Sequence, residues 1–138
     1  MKNLGQHILA EFHNCDSEVL NNTELIEKLM INAADKSGAT IVNSIFHTFN
    51  PWGVSGAVVI TESHLTIHTW PEFGYAAVDV FTCGEDVDAW VGFKVLQEGL
   101  KSDRYTTVLI KRGIVNHDQV IPGFVMRPEV REFEAEYA

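Results

Sequence analysis

Gly56-Ala57-Val58-Val59-Ile60-Thr61-Glu62, then Ser63, then His64-Leu65-Thr66-Ile67-His68-Thr69-Trp70 is the stretch that decides how this chain folds. β-Branched and apolar residues crowd both runs, and the second alternates with polar residues at a period of two, the mark of strands. Upstream, Thr40 to Phe49 reads as another strand, closed by the turn residues Asn50-Pro51-Trp52-Gly53. Downstream, Pro71 to Gly74 turns the chain into a strand from Tyr75 to Thr82. A first strand, Gly5 to Phe12, sets Ile8, Ala10 and Phe12 on one face; a last one, Tyr105 to Lys111, is ended by Gly113. Two helices complete the pattern. One runs from about Thr23 to Ser37 on the stripe Leu25, Ile26, Leu29, Met30 and Ala33, after a polar turn through Asn14 to Asn22 and before Gly38 at C′. The other starts at an Asp86 or Asp88 cap and ends at Leu100. The order β-α-β-β-β-β-α-β predicts an α+β fold: an antiparallel β-sheet with helices packed on one face, a two-layer α/β sandwich.

The length, 138 residues, predicts a single domain over 1–138. With 46% hydrophobic and 21% charged residues and only 4 Pro, the composition excludes a disordered or fibrous chain. A net charge of −9 repels phosphate backbones and argues against nucleic acid as a partner, while a cationic substrate is tolerated. The longest apolar run, Ala57 to Ile60, is far too short for a bilayer, and Met1 to His7 has no signal-peptide stretch. Cys15 and Cys83 make no disulfide framework, which points to a reducing cytoplasm. The tail from Ile114 to Ala138, with Pro122, Gly123 and Pro128 and its glutamates, reads as an extended arm.

From Thr40 to Gly84 there is no Lys or Arg, and the only acids are Glu62, Glu72 and Asp79. Buried strands explain most of that stretch, yet it also concentrates His47, His64, His68, Trp52 and Trp70, more polar chemistry than strand cores ordinarily hold. His64 and His68 have the four-residue spacing of helical zinc ligands, but on a strand they stand about 13 Å apart, too far for one ion, so no metal is expected. Gly53-Val54-Ser55-Gly56-Ala57 looks superficially like a nucleophile elbow, with Ala where the last Gly belongs and no strand running into it. A Cys83/His68/Asp79 triad stays open, since such residues need only meet in space. No phosphate-cradling glycine loop can be written anywhere in the chain.

Thr61-Glu62-Ser63-His64-Leu65-Thr66-Ile67-His68-Thr69-Trp70-Pro71-Glu72 and the following Phe73 to Gly84 closely resemble the family of small prokaryotic S-adenosylmethionine decarboxylase proenzymes. Val42-Asn43-Ser44-Ile45-Phe46-His47, Gly53-Val54-Ser55-Gly56 and Gly5-Gln6-His7 fit the same family, so that the resemblance covers about residues 4–113. It implies a decarboxylase that makes its own carbonyl cofactor, a covalent pyruvoyl group, without pyridoxal phosphate and without a metal. Ser63 would attack the carbonyl of Glu62, elimination would break the resulting ester into chains 1–62 and 63–138, and hydrolysis would leave a pyruvoyl group at the start of the second. That group would form a Schiff base with S-adenosylmethionine and release CO2, giving the aminopropyl donor for spermidine synthesis.

The resemblance also assigns roles. His68 matches the base that removes the α-proton of residue 63, Ser55 the oxyanion donor of the acyl shift, and Cys83 the proton donor of decarboxylation. Phe49 and Trp70 match positions that stack on the substrate, and Glu72 the acid that accepts from both ribose hydroxyls. Taken singly, Cys83 reads as a buried strand end, Ser55 as a turn residue, His68 as a satisfied core histidine, Phe49 and Trp70 as core, and Glu72 as solvated; the joint pattern favours the functional assignment. The family's sites lie at a dimer interface, implying a homodimer or higher oligomer. Within the family, an arginine or ornithine decarboxylase is the alternative, and Phe49, Trp70 and Glu72 favour the nucleoside substrate. Outside it stands an uncleaved, non-enzymatic binding protein.

Overall fold

Six strands and three helices, one more helix than the sequence patterns show, make up a computed structural model that describes residues 2–116, 118 and 121–123. The strands are β1 (Lys2–His13), β2 (Ile41–Thr48), β3 (Val54–Ile60), β4 (Ser63–Trp70), β5 (Tyr75–Cys83) and β6 (Arg104–Val115). The helices are α1 (Ser17–Leu20), α2 (Thr23–Lys36) and α3 (Ala89–Gly99). One sheet of order β2-β3-β4-β5-β1-β6 contains all the strands, and every neighbouring pair is antiparallel. The α+β architecture with helices on one face is the one expected from the sequence.

Strand alternation sends Ile8, Ala10 and Phe12 of β1, Leu65 and Ile67 of β4, and Val78 and Val80 of β5 to one face, where they are buried beneath α2 and α3. Ile26 and Met30 of α2 and Leu96 of α3 meet them with no exposed surface, and Phe93 stacks on Phe12 at 5.3 Å. Each such aliphatic side chain contributes about 1.5–3 kcal/mol on burial. The helix ends are closed by side chains: Asn22 accepts from Leu25 N at 3.1 Å and Asp88 from Trp90 N at 3.0 Å, which selects Asp88 of the two expected caps. Gly38 ends α2 with φ +90, and a Cβ there would stand 2.6 Å from the Asp86 carbonyl, so glycine is required on both counts.

Several boundaries differ from the sequence reading. The polar turn before α2 contains the short helix α1, whose first amides are capped by Asp16; four residues are too few to show a helical period. Pro71–Phe73 forms a turn of 3-10 helix ending at Gly74, φ +59. β3 begins at Val54, so Ser55 is a strand residue rather than a turn residue. β6 runs through Gly113 to Val115, because Asn3 and Lys2 at the start of β1 pair with Ile114 and Val115. The expected arm therefore begins as strand, and most of its remainder lies outside the described residues.

The opposite face of the sheet is covered by none of the three helices. It carries Ile45, Val59, Val108, Ile110 and Leu9, all more than 40% exposed, together with His7, Ser55, His64, His68, Trp70, Asp79 and Phe81.

Candidate functional site

Pairing of Ile60 with Ser63 leaves only Thr61 and Glu62 to turn the β3–β4 hairpin. Glu62 adopts φ +72, a left-handed conformation that an L-residue reaches at about 1–2 kcal/mol. Thr61 N is anchored on the Thr40 carbonyl at 2.9 Å. Immediately after it, the buried Ser63 hydroxyl has no well-directed hydrogen bond, with the Cys83 sulfur beside it. Register explains that neighbour: Cys83 ends β5 across from this turn, and its thiol donates to the Glu62 carbonyl at 3.6 Å. Burial pushes the Cys83 thiol pKa up, while the Ser63 hydroxyl and the Arg112 guanidinium pull it part of the way back. A protonated thiol therefore rests between the Glu62 carbonyl and the Ser63 hydroxyl.

Behind Cys83, Asp79 Oδ1 lies 3.5 Å from His7 Nε2 and 3.2 Å from His64 Nε2. Arg112 Nη1 donates to His7 Nδ1 at 3.1 Å, and its guanidinium carbon stands 4.5 Å from the Phe81 ring centre. The conceivable Cys83/His68/Asp79 triad is not assembled, since Asp79 engages His7 and His64, and Cys83 faces Glu62.

His68 belongs to a second cluster at the other end of β4. Ser55 and His68 are register partners on β3 and β4, and Ser55 Oγ hydrogen-bonds His68 Nδ1 at 2.7 Å. Next to them opens a cleft of about 320 Å³ lined by Phe49, Trp52, Gly53, Ser55, Thr69, Trp70 and Glu72. Trp70 lines the cleft and stacks on Tyr75 at 5.2 Å, and His47 meets Phe49 edge-on at 4.6 Å. Trp52 Nε1 donates to Glu72 Oε2 at 3.0 Å, which fixes the carboxylate at the cleft rim. Thr69 ties the floor together: its hydroxyl donates to the Leu20 carbonyl at 2.8 Å and accepts from Val54 N at 2.9 Å. Aromatic faces beside an oriented carboxylate suit a flat base, a cation and a pair of hydroxyls.

Thus Phe49, Ser55, His68, Trp70 and Glu72 are gathered in one place, and Glu62, Ser63 and Cys83 in another. His68 lies five residue steps along the strand from Ser63, a span of roughly 16 Å. Ser55, expected to donate to the oxyanion formed at Glu62, bonds His68 in this chain, and Cys83 donates to the Glu62 carbonyl. Sequence reasoning missed Trp52, which lay hidden in a turn, and Arg112, which lies outside the cation-free stretch; only strand register brings it to Cys83.

Residues 6–113 match the family model for S-adenosylmethionine decarboxylase. The chain is 65% identical over 113 residues to the S-adenosylmethionine decarboxylase proenzyme of Thermosipho africanus, covering 82% of this chain and 87% of that protein. It is 55% identical to the proenzyme of the same name from Fervidobacterium nodosum over all of this chain and 98% of that one. The crystal structure of the adenosylmethionine decarboxylase from Aquifex aeolicus superposes with a TM-score of 0.80 at 35% identity, over 84% of this chain and 96% of that one. With its sheet, its hairpin turn and its cleft in the places described, the chain belongs to the S-adenosylmethionine decarboxylase family.

Proposed function

We propose that this chain is the proenzyme of a pyruvoyl-dependent S-adenosylmethionine decarboxylase, a carbon–carbon lyase that supplies the aminopropyl donor for spermidine synthesis. The observation that carries the proposal is the hairpin turn. A left-handed Glu62 presents its carbonyl to the Cys83 thiol, and a buried serine hydroxyl with no firm partner follows it. Such a serine suits a residue that reacts with the carbonyl before it. Ser63 Oγ attacks the Glu62 carbonyl, the Cys83 S–H steadies the oxyanion, and nitrogen leaves to give the ester. Removal of the α-proton of residue 63 by His68 then expels the Glu62 carboxylate, which separates 1–62 from 63–138, and water hydrolyses the dehydroalanine left at residue 63 with loss of its nitrogen as ammonia. The pyruvoyl group so made supplies a carbonyl that takes up the substrate amine and accepts the electron pair left by CO2.

The chain's own residues do the rest. Phe49 and Trp70 hold the nucleoside and its sulfonium by stacking and cation–π attraction, Glu72 accepts from the ribose hydroxyls, and Cys83 delivers a proton to the substrate carbon that has lost CO2. With about 16 Å between Ser63 and His68, one chain cannot bring them together along a strand. A homodimer completes the site when the uncovered sheet faces of two copies meet, His68, Ser55 and the cleft of one serving Ser63 and Cys83 of the other. Unpaired Cys15 and Cys83 accord with a reducing cytoplasm.

Co-expression of distinguishable Ser63→Ala and His68→Ala chains tests both parts. Each alone should stay uncut at residue 63, Ser63→Ala as a single intact chain. Together, the His68→Ala chain should be cut between Glu62 and Ser63, with pyruvoyl at the new end by mass spectrometry and CO2 released from S-adenosylmethionine. Failure of rescue would refute the shared site. Cleavage of Ser63→Ala on its own would refute the mechanism, and faster CO2 release from arginine or ornithine would reassign the substrate.

A further inference from the structure

Gly5 on β1 lies between two strands, opposite Cys83 on β5 and opposite Arg112 on the edge strand β6. Neighbouring strands lie about 4.8 Å apart, so the Cα atoms of Cys83 and Arg112 are roughly 10 Å apart across a residue without a side chain. A Cβ on Gly5 would stand 2.9 Å from Cys83 Sγ and 2.7 Å from a Phe81 ring carbon, so the lane stays open only to glycine. Arg112 enters from the β6 side, stacked 4.5 Å over the Phe81 ring. Its Nη1 lies 3.1 Å from His7 Nδ1. Arginine only donates, so His7 Nδ1 accepts and the proton of the neutral ring sits on Nε2, towards Asp79. Burial holds the His7 pKa below its ordinary value, Asp79 opposing and Arg112 and His64 reinforcing the shift, which keeps the ring a neutral acceptor.

We propose that Arg112, oriented by His7 and Asp79 and admitted by Gly5, is a positioning residue that stabilises negative charge on the Cys83 sulfur during proton delivery. This rests on the decarboxylase reading above. In that step the S–H bond breaks as a C–H bond forms on the substrate carbon, the S–H electron pair stays on sulfur, and solvent later returns the proton. The titratable or charged side chains around the thiol come from five elements: Arg112 on β6, His7 on β1, Asp79 on β5, His64 on β4 and Glu62 in the turn. Asp79 lies against the two histidines, so among the described residues Arg112 is the permanent cation available to a thiolate. His7, His64 and Asp79 also have atoms within 4.8 Å of one another, a spacing that invites a divalent metal. A metal on His7 Nε2 needs a lone pair there and a proton on Nδ1, where Arg112 already donates. The arginine and the metal exclude each other.

Peptide-resolved iodoacetamide alkylation of Cys83 against pH tests the proposal on the purified protein. Arg112→Met should move the alkylation midpoint up by about one pH unit or more. Arg112→Lys should restore part of the shift, and Gly5→Ala should mimic Arg112→Met by blocking the lane. Turnover of S-adenosylmethionine should lose kcat with little change in KM. An unmoved midpoint would overturn the proposal, as would a raised KM at constant kcat, which would make Arg112 a substrate-carboxylate receptor. One zinc per chain that is lost in His7→Ala and restores activity when returned would overturn it in favour of a metal site. Absence of CO2 release from the wild-type enzyme would sink the decarboxylase reading itself, whereas the alkylation shift reports on the thiol alone.

Discussion

Glu62→Gly should cleave itself more slowly than Glu62→Ala, although glycine is the smaller residue. At φ +72 any L-residue carries about 1–2 kcal/mol that glycine does not. When Ser63 attacks the Glu62 carbonyl, the planar amide of the turn becomes tetrahedral and then an ester, and the hairpin constraint on Glu62 is relaxed. Strain released on the way to the transition state lowers the barrier; 1.36 kcal/mol corresponds to tenfold in rate, so its removal should slow cleavage about 5- to 30-fold. Alanine is the necessary comparison. It keeps the Cβ and hence the strain, while discarding the carboxylate and whatever that carboxylate touches, so the Gly/Ala ratio isolates the backbone. The assay is the time course of chain cleavage after synthesis in vitro, read on a denaturing gel. In a Ser63→Ala background, which holds the chain intact, Glu62→Gly should also unfold at higher urea than Glu62→Ala. Equal cleavage rates for the two variants, with glycine more stable as expected, would show that the strain is structural and plays no part in the acyl shift.

Glu72→Gln should lower kcat/KM for S-adenosylmethionine about tenfold, since hydroxyls bonded to a charged acceptor are worth roughly 1 kcal/mol more than those bonded to an amide, and should leave cleavage untouched. Slowed cleavage in that variant would place Glu72 in processing instead. Cys83→Ala should cleave more slowly but to completion, having lost its bond to the Glu62 carbonyl, while turnover falls about 10²- to 10⁴-fold with the loss of a general acid. Mass spectrometry should also detect alanine at position 63 from misdirected protonation, and a parental rate would remove Cys83 from the mechanism. His68→Ala should do the reverse, stalling at an ester that hydroxylamine cuts. Thr69→Val should destabilise the fold by about 2–4 kcal/mol, because two buried backbone groups, Leu20 O and Val54 N, lose their partner; a urea midpoint close to the parent's would contradict this.

Much of this was open to reading in the sequence because strands and helices advertise themselves by period. The helix read from about Thr23 to Ser37 and the alternation His64 to Thr69 correspond to α2 and β4 almost residue for residue. What escaped has physical causes. α1 is a single turn held by the Asp16 cap and by Ser17 Oγ donating to the Pro71 carbonyl at 2.9 Å, a contact 54 residues away that no local pattern announces. β6 outlasts Gly113 because its partner β1 continues, and pairing outweighs the preference of a glycine to end a strand. At the site, residue types pointed to the cleft and to the hairpin separately. Trp52 reads as turn punctuation until its indole is seen on Glu72, and Arg112 reads as a solvated strand end until Gly5 is seen beside it.

The arithmetic that denies a metal to His64 and His68 carries a further consequence. A strand advances about 3.3 Å per residue, so if four residues are too many for two ligands of one ion, five are too many for Ser63 and the base proposed to take its α-proton. Either His68 is not that base, or it serves another copy. The first option leaves unexplained why His68 is held by Ser55 beside an aromatic cleft with an oriented carboxylate, while the serine proposed to react lies at the far end of the same strand. The second needs two copies to bring their open sheet faces together in opposite directions, and that face is the one left with Ile45 73% exposed and Val59 and Val108 each 44% exposed. Covering it removes apolar surface from water and unites hairpin with cleft in a single act. On this view the small chain is half of a site, and dimerisation is what makes it reactive: a Val108→Asp change on that face, remote from every catalytic residue named, should leave an intact, folded monomer that does not cleave itself. A Val108→Asp monomer that cut itself at the parental rate would return the reaction to a single chain.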